Sequence, residues 1–264
     1  MMPSLDTLFP VPLIHISETN STNSYLQTLC SKQQEVAEFT TVVPDFQTSG
    51  RGQRGNSWES EPGKNLLFSF VLFPEFLEAR RQFLISQVMS LAIKEELDSY
   101  TDDISIKWPN DILLEGRKLV GILTEMSAEF GHINYLVVGI GINVCVPQSM
   151  VPEALRESAV SIDDVAEKPT DRVALLAKVL DHLETCYETV LKEGFGPILD
   201  EWRRYSVTLG RMVKVIAPDT TYTGKAEDID EEGALLVRRE NGHVERVLAG
   251  DVSIRPAQGK GKYQ

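Results

Sequence analysis

The chain has 264 residues, 42% of them hydrophobic, and a formal net charge of -13. That length supports one sizeable core with a small satellite domain. The acidic balance argues against a nucleic-acid backbone or an anionic membrane as partner, and no apolar run approaches the ~20 residues that span a bilayer.

Residues 1–12 carry Asp6 and no basic region ahead of an apolar stretch, so they do not read as a secretion signal. Residues 18–24 form a polar turn in which Ser21 or Thr22 caps a helix over 25–29. Residues 66–73 are a nearly continuous apolar run stopped by Pro74, the pattern of a strand buried on both faces. Helical spacing of Leu84, Val88 and Leu91 follows over 81–97. Ile104, Ile106 and Trp108 then alternate with polar residues, predicting a strand, and 111–114, 118–126 and 133–144 predict three more. Residues 148–169 read as an irregular polar connection, and Thr170 as the cap of an amphipathic helix ending near Gly194. Beyond about Tyr205, short strands at 212–216, 222–229, 234–239 and 244–248 alternate with turn signals such as Asn241-Gly242. The pattern is an α+β body over 1–208 followed by a small β-barrel over 209–264. Cys30, Cys145 and Cys186 are odd in number and lack metal-type spacing, which suits unpaired thiols in a reducing cytoplasm.

The chemistry concentrates in a few stretches. The segment 47–58 interleaves Gly50, Gly52 and Gly55 with Arg51 and Arg54 and ends at Trp58. Glycines admit close ligand approach, and arginines offer planar forks to carboxylate or phosphate. No Gly-Lys-Ser/Thr follows, so this is not a P-loop. A buried strand follows where a dinucleotide fingerprint needs a helix. A second stretch, 107–111, reads Lys-Trp-Pro-Asn-Asp and leads to Lys118 and Gly121. A third, 139–143, ends an apolar strand with Gly139, Gly141 and Asn143.

Taken in order and spacing, Ser21-Thr22-Asn23, the 50–58 loop, 107–111, 117–123 and 139–143 resemble the biotin protein ligases. The likeness takes in the C-terminal strands too, and so covers nearly the whole chain. It implies a mixed-sheet catalytic domain like those of class II aminoacyl-tRNA synthetases and biotin–lipoate ligases, then an SH3-like barrel. It also implies ATP-dependent activation of biotin to biotinyl-5'-AMP and transfer to a lysine of a biotin carboxyl carrier domain. With only about 20 residues before Ser21, no DNA-binding helix-turn-helix is expected, hence a monofunctional ligase without a DNA partner. Mg2+ is expected to arrive largely on the phosphates.

By the same resemblance, Ser21, Thr22, Asn23, Gln47 and Gly121 shape the biotin pocket. Arg51, Gly52 and Gln53 belong to the loop that closes over biotin and its adenylate, with Arg54 beside the phosphates. Lys118 contacts the biotin carboxylate and α-phosphate; Trp58, Asn110 and Asn143 belong to the adenylate site. Asp111 is the base or the charge partner for the incoming amine. Gln53 stands where many relatives have a basic residue, which weakens the charge of the loop. A lipoate or octanoyl transferase and a non-catalytic biotin-binding regulator remain alternatives. The barrel either docks the acceptor, closes the site or adds stability, and pairing of two copies through an exposed sheet edge stays open.

Overall fold

The computed structural model describes residues 11–32, 35–147, 149–151, 153–217, 220–249 and 253–256. In chain order these form β1 (Leu13–Thr19), α1 (Thr22–Ser31), β2 (Thr41–Gln47), β3 (Asn65–Leu72), α2 (Phe83–Leu97), β4 (Ile104–Lys107), β5 (Asp111–Leu114), β6 (Arg117–Glu129) and β7 (His132–Asn143). Then come α3 (Arg172–Glu193), α4 (Gly196–Tyr205), β8 (Met212–Ile216), β9 (Thr221–Ile229), β10 (Leu235–Arg238), β11 (Val244–Val247) and β12 (Ser253–Pro256).

The apolar run is β3, and every residue of it is buried. Alternation explains why. Leu66, Phe68, Phe70 and Leu72 pack into the core that includes Leu84, Val88 and Leu91 of α2 and Leu176, Leu180 and Leu183 of α3. Val71 faces the other way, into a small cluster with Leu26 of α1, Val42 and Val137. Both faces of the sheet are therefore covered at its centre. The strand order is β1-β2-β3-β7-β6-β5-β4. β1 and β2 are parallel and the other pairs antiparallel, a mixed sheet.

Glu115 (φ 51°) and Gly116 (φ 73°) both sit in the left-handed region, the geometry of a two-residue hairpin between β5 and β6. That turn, with the longer β6–β7 hairpin, brings 107–111, 117–123 and 139–143 side by side.

Three local expectations change. The cap of α3 is Asp171 rather than Thr170. The Asp171 carboxylate accepts from Val173 N at 2.9 Å and Ala174 N at 3.2 Å, whereas Thr170 N is engaged with Asp163. Ser21 does occupy the N-cap of α1, but through its backbone carbonyl, which accepts from Tyr25 N at 3.0 Å. The connection after β7 is not wholly irregular. Short 3-10 turns form at Glu153–Leu155 and Ile162–Asp164, and the chain between them pairs with Lys118, whose N donates to Ser158 O at 2.7 Å.

The C-terminal domain is an antiparallel sheet of order β11-β10-β9-β8-β12. Its turn at 230–233 is fixed against the body: the Trp108 indole and the Gln87 amide each donate to Gly233 O at 3.0 Å. Arg203 of α4 adds bonds to Asp228 at 2.8 Å and Ile229 O at 3.0 Å.

Candidate active site

The pocket lies over the strand ends that β5, β6 and β7 share with the start of α1. The loop 50–58 folds back as a small hairpin over it, with Gly52 N donating to Asn56 O at 2.8 Å and Trp58 N to Gly50 O at 2.9 Å. Arg54 sits in the left-handed region, φ 56°. A cavity of about 210 Å³ is lined from separate segments: Ser21, Thr22 and Asn23; Gln47; Arg51, Gly52, Gln53, Arg54 and Trp58; Lys107, Asn110 and Asp111; Lys118 and Gly121. A larger, more apolar chamber of about 690 Å³ adjoins it, shares Gln47, Trp58 and Lys118, and includes Asn65 and Asn143. Every residue assigned a role in the sequence analysis lines one chamber or the other, whereas Gly55 of the loop lines neither. Asn143 lines only the larger one, as does Gly50, and its amide donates to Val160 O at 3.1 Å and Lys118 O at 3.4 Å.

Trp58 divides the chambers. Its indole lies flat across Gly121 and Gly141, so close that a Cβ at Gly121 would stand 2.6 Å from the ring and one at Gly141 2.7 Å. Only glycine leaves room for the ring there. The Lys118 ammonium sits 5.4 Å from the centre of the indole, within cation–π range. The indole Nε1 is buried without a hydrogen-bond partner among the described residues.

Electrostatics centre on Asp111. Its Oδ1 lies 2.7 Å from Lys118 Nζ and its Oδ2 3.3 Å from Lys107 Nζ. Burial alone would push the Asp111 carboxyl up, but the two ammonium groups outweigh it and hold it below the usual carboxylate range. Burial pulls the Lys107 ammonium below its ordinary value, and Asp111 offsets this only in part. A carboxylate held this way is a poor proton acceptor and a firm counterion to the two ammonium groups. Asn110 donates its amide to Ile122 O, locking the turn that presents Asp111.

Beside the cations runs a buried polar chain. Thr22 N donates to Gln47 Oε1 at 2.7 Å. The Thr22 hydroxyl meets Ser69 Oγ at 2.6 Å, and Ser69 donates to Asn23 Oδ1 at 2.6 Å. Asn23 Nδ2 donates to Glu125 Oε2 at 2.9 Å, and Arg51 pairs with the other Glu125 oxygen. Sequence reasoning missed Ser69, read only as part of a buried strand, and Glu125, which sits on a half-buried stretch of β6. It also missed Ile254 and Arg255 of β12, which reach the cavity from the C-terminal domain.

Cationic side chains thus line a small polar chamber, with a more apolar one across the Trp58 ring, the arrangement of a small-molecule site suited to anions. The chain matches the Biotin/lipoate A/B protein ligase family over residues 16–143 and the Biotin protein ligase C terminal domain over 208–255. It is 34% identical to the bifunctional ligase/repressor BirA of Bacillus subtilis over 220 residues, 82% of this chain and 66% of that protein. It is 30% identical to the biotin–[acetyl-CoA-carboxylase] ligase of Paracoccus denitrificans, covering 84% of this chain and 92% of that one. Among solved structures, the biotin protein ligase from Aquifex aeolicus in complex with biotin and ATP superposes with a TM-score of 0.79 at 31% identity, over 93% of this chain and 99% of that one. The chain belongs to the biotin/lipoate protein ligase family. It spans about two thirds of the length of the Bacillus ligase/repressors it resembles.

Proposed function

We propose that this chain activates biotin with ATP and joins it to a lysine of a biotin carboxyl carrier domain. One observation carries the reading: Lys107, Lys118, Arg51 and Arg54, from separate segments, line one small chamber beside an apolar one. In the first step a biotin carboxylate oxygen attacks the α-phosphorus, the bond to pyrophosphate breaks, and biotinyl-5'-AMP forms. In the second the acceptor amine attacks the acyl carbon, AMP leaves with the bonding electrons, and an amide remains once the amine loses a proton.

Negative charge builds at phosphorus in the first step, and preorganised cations around it stabilise that charge. Lys118 is the residue best placed for it, since it lines both chambers. Alignment of the two substrates supplies much of the rest, so no protein nucleophile is needed. Ser21, Thr22 and Gln47 form the polar end suited to a ureido head. Trp58 and Asn143 suit a purine in the apolar chamber. ATP enters as its magnesium complex, the metal carried by phosphate oxygens.

We divide the chain into a catalytic domain over 1–208 and a barrel over 209–264. The barrel helps close the site, a reading supported by Ile254 and Arg255 at the cavity. The free thiols of Cys30, Cys145 and Cys186 suit a reducing cytoplasm. The test is pyrophosphate release from MgATP with biotin or with lipoate, followed by transfer to a carrier domain. Release with biotin and not lipoate is expected; release only with lipoate, or with neither, overturns the proposal.

A further inference from the structure

We infer that Glu125 is a positioning residue that holds Arg51 and its loop over the pocket, and that it does so through the same hydrogen-bond chain that shapes the polar end of the cavity. The inference rests on the proposed ligase reading for its functional consequence, although its structural part stands without it.

Ser69 has one hydroxyl hydrogen, and Asn23 Oδ1, 2.6 Å away, takes it. The Thr22 hydroxyl must then donate to Ser69 Oγ, also at 2.6 Å, which leaves Gln47 Oε1 to the Thr22 backbone N–H at 2.7 Å. The Asn23 amide nitrogen gives its hydrogens to Glu125 Oε2 at 2.9 Å and, more weakly, to Leu123 O at 3.4 Å. Asn23 lines the cavity and is 3% exposed, yet its polar atoms are all engaged with protein groups. Its work is to aim Glu125.

Glu125 does not line the cavity among the described residues, as suits a carboxylate behind a site for anions. Its second oxygen meets the Arg51 guanidinium, which also donates to Ser24 Oγ at 3.2 Å. The donors thus run in one direction, Thr22 to Ser69 to Asn23 to Glu125, and Arg51 closes the chain from the other side. A lone ion pair with Arg51 43% exposed would contribute little. Here one partner is fixed in advance by a buried amide, so less ordering is left to the arginine. The polar end of the pocket and the loop above it are thereby coupled in one network. Disturbing Glu125 loosens the loop without replacing a side chain that lines the cavity.

Two readouts separate this inference from the ligase reading. The first uses no substrate. Arg51 and Arg54 are tryptic sites on the loop, and Glu125→Gln keeps shape and the Asn23 contact while removing the charge. Limited trypsin digestion of the parent and the variant, with cleavage mapped by mass, is expected to show loop nicking roughly tenfold faster in the variant. Equal rates overturn the inference, whatever the enzyme does. The second uses biotin-dependent ATP–pyrophosphate exchange. Glu125→Gln is expected to raise the KM for biotin and the escape of the adenylate by roughly tenfold, with kcat for exchange altered less than about threefold. In Arg51→Ala the Glu125 change is expected to add nothing further. Full additivity, or a loss confined to kcat, overturns it. Absence of exchange in the parent counts against the ligase reading, and the digestion then decides the inference alone.

Discussion

Gly141→Ala is the sharpest steric test of the Trp58 partition. The new methyl would stand 2.7 Å from the indole Cε2 and 2.8 Å from Cζ2. Carbon atoms normally meet at about 3.5–4.0 Å, so ring or strand must move by roughly 1 Å. β7 is an inner strand, paired at this residue with Leu67 of β3 on one side and Gly121 of β6 on the other. The ring is therefore the part that yields. Overpacking of this kind costs about 1–3 kcal/mol, which for a chain of this size lowers Tm by roughly 2–12 °C. The assays are thermal melting and the KM values for biotin and ATP. Because the indole lines both chambers, both KM values are expected to rise. Gly196→Ala is the control, since its Cβ meets nothing within 4 Å. A Gly141→Ala protein with parental Tm and unchanged KM for both substrates would refute the argument.

Other perturbations have equally definite outcomes. Asp111→Asn leaves the Lys107 and Lys118 ammonium groups uncompensated and is expected to cost about 1–3 kcal/mol near neutral pH by urea unfolding. The folded carboxyl lies below its ordinary 3.8, so its stabilisation is present above that value and lost as pH falls through the lower folded one. The variant should lack that acid limb in a plot of Tm against pH, and an identical limb would contradict the assignment. Burial pushes the Cys186 thiol up to about 12. At about pH 8 a thiol reagent should leave it unmodified until the chain unfolds. The same shift should make stability fall as pH rises above the thiol's ordinary 9.0, a limb absent from Cys186→Ala. Asp171→Ala removes the cap of α3 and is expected to cost about 1 kcal/mol, whereas Thr170→Ala is expected to cost less.

Elements with a single strong period were legible in the sequence. The run at β3, the alternation through β4 and the Glu115-Gly116 turn each follow from local chemistry. β1 and β2 were not, because β1 is an edge strand with mixed exposure and Pro44 interrupts β2. α4 was hidden too: it opens on Gly-Pro and carries paired arginines, so little of it looks like a core helix. Thr170 and Asp171 are both good caps, and the folded backbone decides between them by setting the Asp171 carboxylate against Val173 N and Ala174 N. In the site, Lys118, Arg51 and Asp111 were legible only through the resemblance of their segments, in order and spacing, to the biotin protein ligases, because a lysine opening a strand or an arginine among glycines is ordinary taken alone. Glu125 and Ser69 carry no local signal, and their roles arise from strands folding α1, β3 and β6 together. Arg255 reaches the cavity from more than a hundred residues beyond Lys118, a juxtaposition only the tertiary fold supplies.

Lys118→Met, assayed for biotin-dependent ATP–pyrophosphate exchange alongside circular dichroism and melting, tests most directly whether gathered cations drive the activation. A folded variant whose exchange falls by roughly 10²–10³ or more is predicted. A folded variant that exchanges at the parental rate would contradict it.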